Sequence, residues 1–175
     1  MTKQARRTAV LTLLLLAVVS GCGGSSPVVP PVPTITDVRD AAGADPCALV
    51  TPEQLAGAGL GGAGTAVPAD EGPRCRWRSG AGSLDLTLYT DGEGLATIAA
   101  NSEPTTTRVR LDGYPALETF TGRGEFCQYD VGVSASQVVM AALEAPDPDS
   151  CEVLQRLLPG VLDNLPAPGE PGPDR

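Results

Sequence analysis

Acid–base chemistry in this sequence would have to rely on carboxylates, because the other side chains that usually perform it, histidine and lysine, are almost entirely absent. The 175 residues include no histidine, and Lys3 is the only lysine. Triads, Cys-His pairs and histidine-containing zinc sites are therefore excluded, and a Ser-Lys dyad or a Schiff base would require Lys3. Two carboxylates held across a cleft could cleave a glycosidic bond. The candidates are Glu93, Glu103, Glu118, Glu125 and Asp130, but nothing in their spacing pairs them.

Three other motifs that could bind ligands are better explained by local structure. Asp91-Gly92-Glu93 and Asp147-Pro148-Asp149 could suggest calcium binding, but the first lacks the alternating acidic ligands of a helix–loop–helix calcium site. We interpret the first as a turn before a short helix, and Asp149 as the cap of the last helix. The stretch from Gly57 to Gly64 matches no dinucleotide-binding or phosphate-binding loop and is expected to end a helix. We therefore predict no metal, no cofactor and no catalytic residue.

Positive charge is too sparse in this chain for nucleic-acid binding. Lysine and arginine total 12 against 21 acidic residues, which gives a net charge of −9. Nucleic acids and anionic lipid surfaces both require clustered basic side chains. The simplest interpretation of the acidity is that it keeps an exported domain soluble.

Cys22 follows the features typical of a secretory signal peptide. Three basic residues precede the apolar run from Ala9 to Val19, which is too short for the ~20 residues that span a bilayer. Small residues, Ser20-Gly21, come directly before the cysteine. This arrangement resembles the lipobox of bacterial lipoproteins, in which the thiol receives a diacylglyceryl group before cleavage. We therefore expect an exported protein that fatty chains on Cys22 anchor to the outer face of the cytoplasmic membrane.

The other four cysteines are an even number in a predicted exported domain, which indicates disulfides. The segments Cys75-Arg76-Trp77 and Cys127-Gln128-Tyr129 echo each other, as do Asp45-Pro46-Cys47 and Asp149-Ser150-Cys151. Each half of the domain would then hold one strand cysteine and one helix cysteine. The echo favours the pairs Cys47–Cys75 and Cys127–Cys151, and the other two pairings remain open.

Composition divides the chain into four parts. Residues 23 to 44 are rich in proline, glycine and serine, which is typical of an extended tether, and the last ten residues carry four prolines. The predicted parts are a signal peptide (1–21), a lipidated tether (22–44), a disulfide-braced domain (45–165) and a disordered tail (166–175).

Helix signals open and close the predicted domain. A short helical turn is expected over 46–50, and the capping box that begins at Thr51 predicts a helix from Pro52 to about Ala58. A short helix is expected from Gly94 to Ser102. Leucines and valines at helical spacing predict a last helix that ends near Leu165, and Pro159-Gly160 should kink or shorten it.

Alternating apolar and polar residues predict the strands between these helices. Asp112-Gly113 is a strong hairpin signal between two of them. The predicted strands are 74–79, 84–89, 106–111, 114–120, 126–134 and 138–145. Helices that interrupt hairpins predict an α+β fold, with an antiparallel sheet of about five to six strands and helices packed on one face.

Five arginines could form one basic face on neighbouring strands of this sheet. They are Arg74, Arg76, Arg78, Arg108 and Arg110. Such a face could contact an acidic partner or an anionic envelope polymer, although a solvent face paired with nearby carboxylates is the simpler interpretation. Trp77 could stack on a sugar, but it shares a strand face with Cys75, and we expect it to pack on the disulfide in the core.

These features together resemble a family of actinobacterial lipoproteins whose domain has no assigned function. The resemblance rests on the lipobox, the proline-rich tether, Asp45-Pro46-Cys47 before the Leu-Val-Thr-Pro-Glu-Gln helix, and Cys75-x-Trp77. It continues through the Gly113-x-x-Ala116 hairpin, the Cys127 strand and the helix that opens at Cys151. It implies the fold and the location, and no activity.

We therefore expect an extracytoplasmic, lipid-anchored binding or accessory module that is not an enzyme, with an unknown envelope protein or ligand as its partner. The alternatives are a small-ligand or lipid carrier, with an apolar cleft between helices and sheet, and a carboxylate-based glycan hydrolase. A large apolar cavity would favour the carrier, two facing carboxylates in a groove would favour the hydrolase, and a filled core would leave the partner-binding module.

Overall fold

The structure is a computed structural model that describes residues 34–92, 94–122, 125–145 and 150–170. The predicted signal peptide, the lipidation site at Cys22 and most of the tether lie outside these residues. Glu93 and the Asp147-Pro148-Asp149 motif lie outside them as well. The interpretations given to those positions stay predictions.

Three helices and seven strands follow one another along the described chain. In order, they are α1 (Pro52–Gly57), β1 (Thr65–Val67), β2 (Arg74–Ser79), β3 (Gly82–Tyr89), α2 (Leu95–Ala100), β4 (Thr106–Leu111), β5 (Tyr114–Thr121), β6 (Phe126–Gly132), β7 (Val138–Glu144) and α3 (Ser150–Asp163). The sequence predicted every one of these elements except β1. The expected helical turn over 46–50 is a series of turns and bends.

All seven strands form one antiparallel sheet in the order β1-β2-β3-β7-β6-β5-β4. The sheet consists of two meanders, β1 to β3 and β4 to β7, which join where β3 pairs with β7. The α+β class and the antiparallel sheet are confirmed. The predicted strand number of five to six is too low because β1 has only 3 residues, too few for an alternating pattern.

Helices cover both faces of the sheet, which corrects the prediction that they pack on one. α3 packs on the face that carries Cys127 and Tyr129, and α1 packs against α3. α2 lies on the opposite face, where Leu95 packs with Leu117 and Val138. Leu117 lies on this second face because Ala116, the residue before it, faces α3, and successive side chains of a strand point to opposite sides of the sheet.

The space between α1, α3 and the sheet is filled by side chains that are less than 2% exposed. Trp77 and Tyr129 are the largest of them, and leucines from β3, β7 and α3 surround them. Trp77 lies beside Cys75 in this core, as expected. Burial of this apolar surface is the main favourable contribution to folding.

Helix α3 continues through Pro159 to Asp163, so the Pro159-Gly160 pair does not end it. Gly160 lies where α3 meets α1, and a Cβ at that position would collide with the side-chain amide of Gln54. The glycine therefore permits close contact between the two helices. Gln54 is also part of the predicted capping box, in which its Oε1 accepts a hydrogen bond from the Thr51 amide at 2.7 Å.

Two disulfides tie the helical layer to the sheet. Cys47 is bonded to Cys75 on β2, and Cys127 on β6 is bonded to Cys151 in the first turn of α3. These are the pairs that the internal echo of the sequence favoured. The first bond joins the turns before α1 to the meander of β1 to β3, and the second joins α3 to the meander of β4 to β7.

Residues 34–44 pack on the domain instead of leading up to it. The Arg39 amide donates to the Val133 carbonyl at 3.0 Å, and the Ala41 amide donates to Gln137 Oε1 at 2.7 Å. Ala41 is completely buried. The predicted domain start at Asp45 is therefore too late, because residues before it already pack against the domain.

Candidate functional site on the open face of the sheet

The sheet face that carries α2 is covered at one end and open at the other. Under α2 the strands contribute buried residues such as Pro115, Leu117 and Val138. Beyond Asp130 and Met140 the same face is partly exposed and mostly polar. This part, which we call the open face, consists of Arg76, Arg78, Ser83, Asp85, Thr119, Thr121, Phe126, Gln128, Ala142 and Glu144.

Three arginines of β2 lie along this side of the sheet and differ in their partners. Arg76 forms two hydrogen bonds with Asp85 on β3, from Nε at 2.6 Å and from Nη2 at 3.0 Å. Arg74 donates to the Thr87 hydroxyl at 3.0 Å and pairs with Glu71 at 3.3 Å. The simpler interpretation, arginines paired with nearby carboxylates, describes these two residues.

Arg78 is exposed and has no ion pair with any carboxylate that the structure describes. Together with Arg76 it borders a cleft of about 290 Å³ over the hairpin of β1 and β2. The other walls are Ala63, Thr65 and Val67. We call this depression the Arg78 cleft.

Arg108 and Arg110 are not near the Arg78 cleft, so the prediction of one basic face on neighbouring strands is wrong. They lie on β4, which forms the sheet edge opposite β1. Five strand spacings separate β4 from β2, a distance of about 24 Å. The sequence could place all five arginines on strands, but the order of the strands separates β2, next to the edge strand β1, from β4 at the opposite edge.

The candidate carboxylates Glu118 and Asp130 lie on opposite faces of the sheet, so they cannot act on one bond. Glu118 lies beside α3, where it accepts a hydrogen bond from the Tyr129 hydroxyl. That hydroxyl accepts one from Gln155 Nε2 at 2.7 Å. Burial, and then the hydrogen bond to Glu118, raise the pKa of Tyr129 to about 12.

Asp130 is only 3% exposed, at the border between the open face and the part under α2. Its described partner is Gln128, whose Nε2 donates to Oδ2 at 3.0 Å and to Oδ1 at 3.2 Å. Burial raises the pKa of Asp130 to about 6, and the hydrogen bond from Gln128 offsets part of this effect. Asp130 is therefore an isolated buried acid with no described carboxylate facing it.

The remaining candidates, Glu103 and Glu125, are exposed. Glu125 lines an open depression of about 540 Å³ together with Glu144 and Arg78. Glu144 is exposed too, whereas the general acid of a glycosidase is usually held in a secluded, apolar pocket. The sequence singled out Glu125 but not Glu144, because only the pairing of β6 with β7 brings the two together.

A comparison with protein families gives one match. Residues 17–164 match the family described as "Protein of unknown function (DUF3558)". The chain belongs to the DUF3558 family. The predicted resemblance to a family with a domain of unknown function is thereby confirmed, while actinobacterial origin and lipidation stay predictions. No curated protein and no solved structure matches the chain.

The described part of this DUF3558 protein offers neither a metal centre nor a membrane span. It contains no group of three or more acidic or cysteine side chains that could hold a metal ion. No helix in the described ranges is both long enough and apolar enough to cross a bilayer.

A second depression of the DUF3558 domain lies at the covered end of the sheet, beside α2. It has a volume of about 420 Å³ and is lined by Thr34, Ile35, Val38, Leu95, Ala96, Ser134 and Ala135. Val38 is 40% exposed. This surface is mostly apolar, and it includes the first residue that the structure describes.

Proposed function

We propose that this member of the DUF3558 family is a lipid-anchored protein of the cell envelope whose domain binds a partner and performs no catalysis. The observation that carries the proposal is the open face. It is a partly exposed, mostly polar surface of the sheet, and Arg78 lies on it without a described carboxylate partner.

The distribution of acidic groups supports a role without catalysis. Glycoside cleavage needs two carboxylates about 5 to 9.5 Å apart across one cleft. Glu118 and Asp130 face opposite sides of the sheet, and Glu125 and Glu144 are both exposed. None of these pairs combines a shared cleft with the burial that a catalytic acid requires.

The filled interior supports partner binding over the carrier. A carrier would need a cleft between the helices and the sheet, but that layer holds Trp77, Tyr129 and leucines with less than 2% exposure. The depression beside α2 is the feature that favours a carrier, because its volume of about 420 Å³ falls within the usual range for small-ligand sites. It is open to solvent along Val38 and Ala96, so most of a bound molecule would stay exposed.

Crosslinking on intact host cells, followed by affinity capture, tests the proposal. Three proteins are compared: the native chain, Cys22→Ala, and residues 1–33 fused to an unrelated domain as the matched control. We expect the native chain to capture a defined envelope protein that the fusion does not capture, and Cys22→Ala to leave the membrane fraction. Identical captures by the native chain and the fusion would contradict a binding role for the domain.

Mass spectrometry of the same membrane fraction tests the anchor separately. We expect the new amino terminus to be Cys22 carrying fatty chains. Recovery of an uncleaved and unmodified leader would contradict the envelope location.

A further inference from the structure

The Arg78 cleft combines two hydrogen-bond donors that have no described partner. No atom of the Arg78 guanidinium group has a described hydrogen-bond partner. Arg76 donates to Asp85 from Nε and Nη2, and its Nη1 has no described partner. An arginine held by a carboxylate in this way has a fixed orientation, so it loses less conformational freedom when it binds a ligand.

Small side chains on β1 create the space in front of these guanidinium groups. Thr65 pairs with Arg76 across the two strands, and Ala63 lines the cleft together with Arg78. The short side chains of Ala63 and Thr65 leave open the cleft of about 290 Å³. Thr65 adds a hydroxyl that can donate a hydrogen bond.

We propose that the Arg78 cleft binds a phosphate or carboxylate group of a ligand. Guanidinium groups recognise both oxyanions through paired hydrogen bonds, which are stronger than bonds between neutral groups. The volume lies at the lower limit of small-molecule sites, so the cleft admits one anionic group and not a large ligand. This inference rests on the proposed binding function and names the chemistry of the bound group.

The position of the cleft favours a group carried by a partner over a lipid headgroup. Thr34, where the described chain begins, lies with Ser134 at one end of the sheet, and Arg78 lies near Glu144 at the other end. β7 joins these ends from Val138 to Glu144 and spans about 20 Å. A chain attached at Thr34 would therefore enter the domain at the end of the sheet opposite the cleft.

Glu125 and Glu144 limit how negative the ligand can be. Both line the depression on the other side of Arg78. Carboxylates beside the cleft repel a bound anion and weaken its binding, and salt screens this repulsion. We therefore expect single anionic groups to bind better than dense polyanions, and Glu144→Gln to raise the affinity a few-fold.

A titration with inorganic phosphate, followed by nuclear magnetic resonance on the full-length protein in neutral detergent micelles, tests the inference. We expect saturable shifts at Arg78 Nε and at the Thr65 amide. Arg78→Gln should weaken binding at least tenfold. The matched control is Arg156→Gln, on an exposed arginine of α3 whose partner Glu152 lies at 3.7 Å, and it should leave binding unchanged.

Two further probes identify the source of the anionic group. Vesicles of phosphatidylcholine with phosphatidylglycerol supply headgroups, and a short glutamate-containing peptide supplies carboxylates. Binding to the peptide that depends on Arg78 would support a partner protein, and binding to the vesicles that depends on Arg78 would support a headgroup instead. Shifts that do not saturate, or that persist in Arg78→Gln, would overturn the inference. The titration needs no envelope partner, so a failed capture experiment would not affect it.

Discussion

At the scale of single residues, burial of Asp130 without a charged partner makes the stability of the domain depend on pH. The native pKa of about 6 lies above the ordinary 3.8, so folding disfavours the carboxylate. The stabilising contribution of the neutral form is complete below pH 3.8 and is lost as the pH rises through about 6. The difference corresponds to about 3 kcal/mol.

Replacement of Asp130 by asparagine should remove this dependence. We expect the free energy of unfolding of the native protein to fall by up to about 3 kcal/mol between pH 4 and pH 7, and that of Asp130→Asn to change little. Asparagine keeps an oxygen that can accept the bond from Gln128. Urea unfolding at both pH values measures the effect, and parallel pH profiles for the two proteins would contradict it.

The hydroxyl of Tyr129 is the second residue whose removal has a clear expected cost. Tyr129→Phe removes two hydrogen bonds of a buried tyrosine, but its partners Glu118 and Gln155 are partly buried and exposed, respectively, so we expect the free energy of unfolding to fall by about 0.5–1.5 kcal/mol. Tyr114→Phe is the control, because its partner Asp37 has a side chain 62% exposed and water can replace the lost bond. Equal losses in denaturant unfolding would show that the Tyr129 network has no special weight.

Sequence alternation could place residues on a strand face, but it could not assign their neighbours. It puts Arg74, Arg76 and Arg78 on one side of β2 correctly. The bond from Arg76 to Asp85 depends on the register of β2 against β3, which the pattern does not specify. Asp130 alternates with core residues and would be expected in solvent, and its burial follows from its place beside the region that α2 covers.

At the scale of elements, β1 depends on a glycine that no side chain can replace. A Cβ on Gly64 would lie 2.7 Å from Trp77 Nε1 and would also collide with the Cys75 sulfur. Both neighbours are buried and cannot move aside. Gly64→Ala should therefore displace β1, destabilise the protein by about 1–3 kcal/mol and distort the Arg78 cleft.

Gly61→Ala is the matched control for this substitution. A Cβ at Gly61 meets nothing within 4 Å, so we expect a change within about 0.5 kcal/mol. Thermal unfolding of the two variants side by side gives the comparison. Similar midpoints would show that β1 tolerates a methyl group against the disulfide.

The sequence does indicate that both faces of the sheet are covered, but a search for alternating apolar and polar residues overlooks the evidence. Residues 114–117 in β5 and 138–142 in β7 are continuous apolar runs, as in strands buried on both sides. Leu117 and Val138 in these runs lie under α2, and the residues next to them face the core on the other side. The sequence predicted α2 as a short helix, but its side of the sheet is set by long-range packing that involves Leu117 and Val138.

At the scale of the whole molecule, the two disulfides should each provide a large part of the stability. They join residues 28 and 24 positions apart, and loops of that length correspond to about 3.5 kcal/mol each. Whole domains of this size are stable by only about 5–15 kcal/mol. We expect alanine at Cys47 and Cys75, or at Cys127 and Cys151, to lower the free energy of unfolding by about 3 kcal/mol. Urea unfolding tests this, and a reduced protein with an unchanged midpoint would contradict it.

The seam between β3 and β7 has a consequence for how the chain matures. Leu84 and Leu143 face each other across it, so this contact must wait until almost the entire domain has been synthesised. Each sulfur pair, by contrast, closes within its own half-molecule. In the exported protein that we propose, oxidation of the first half can be completed while the second half is still being translocated, and every mismatched bond would have to cross the seam. The order of synthesis then favours the native disulfide pairs, and few mismatched disulfides are left for an isomerase to correct.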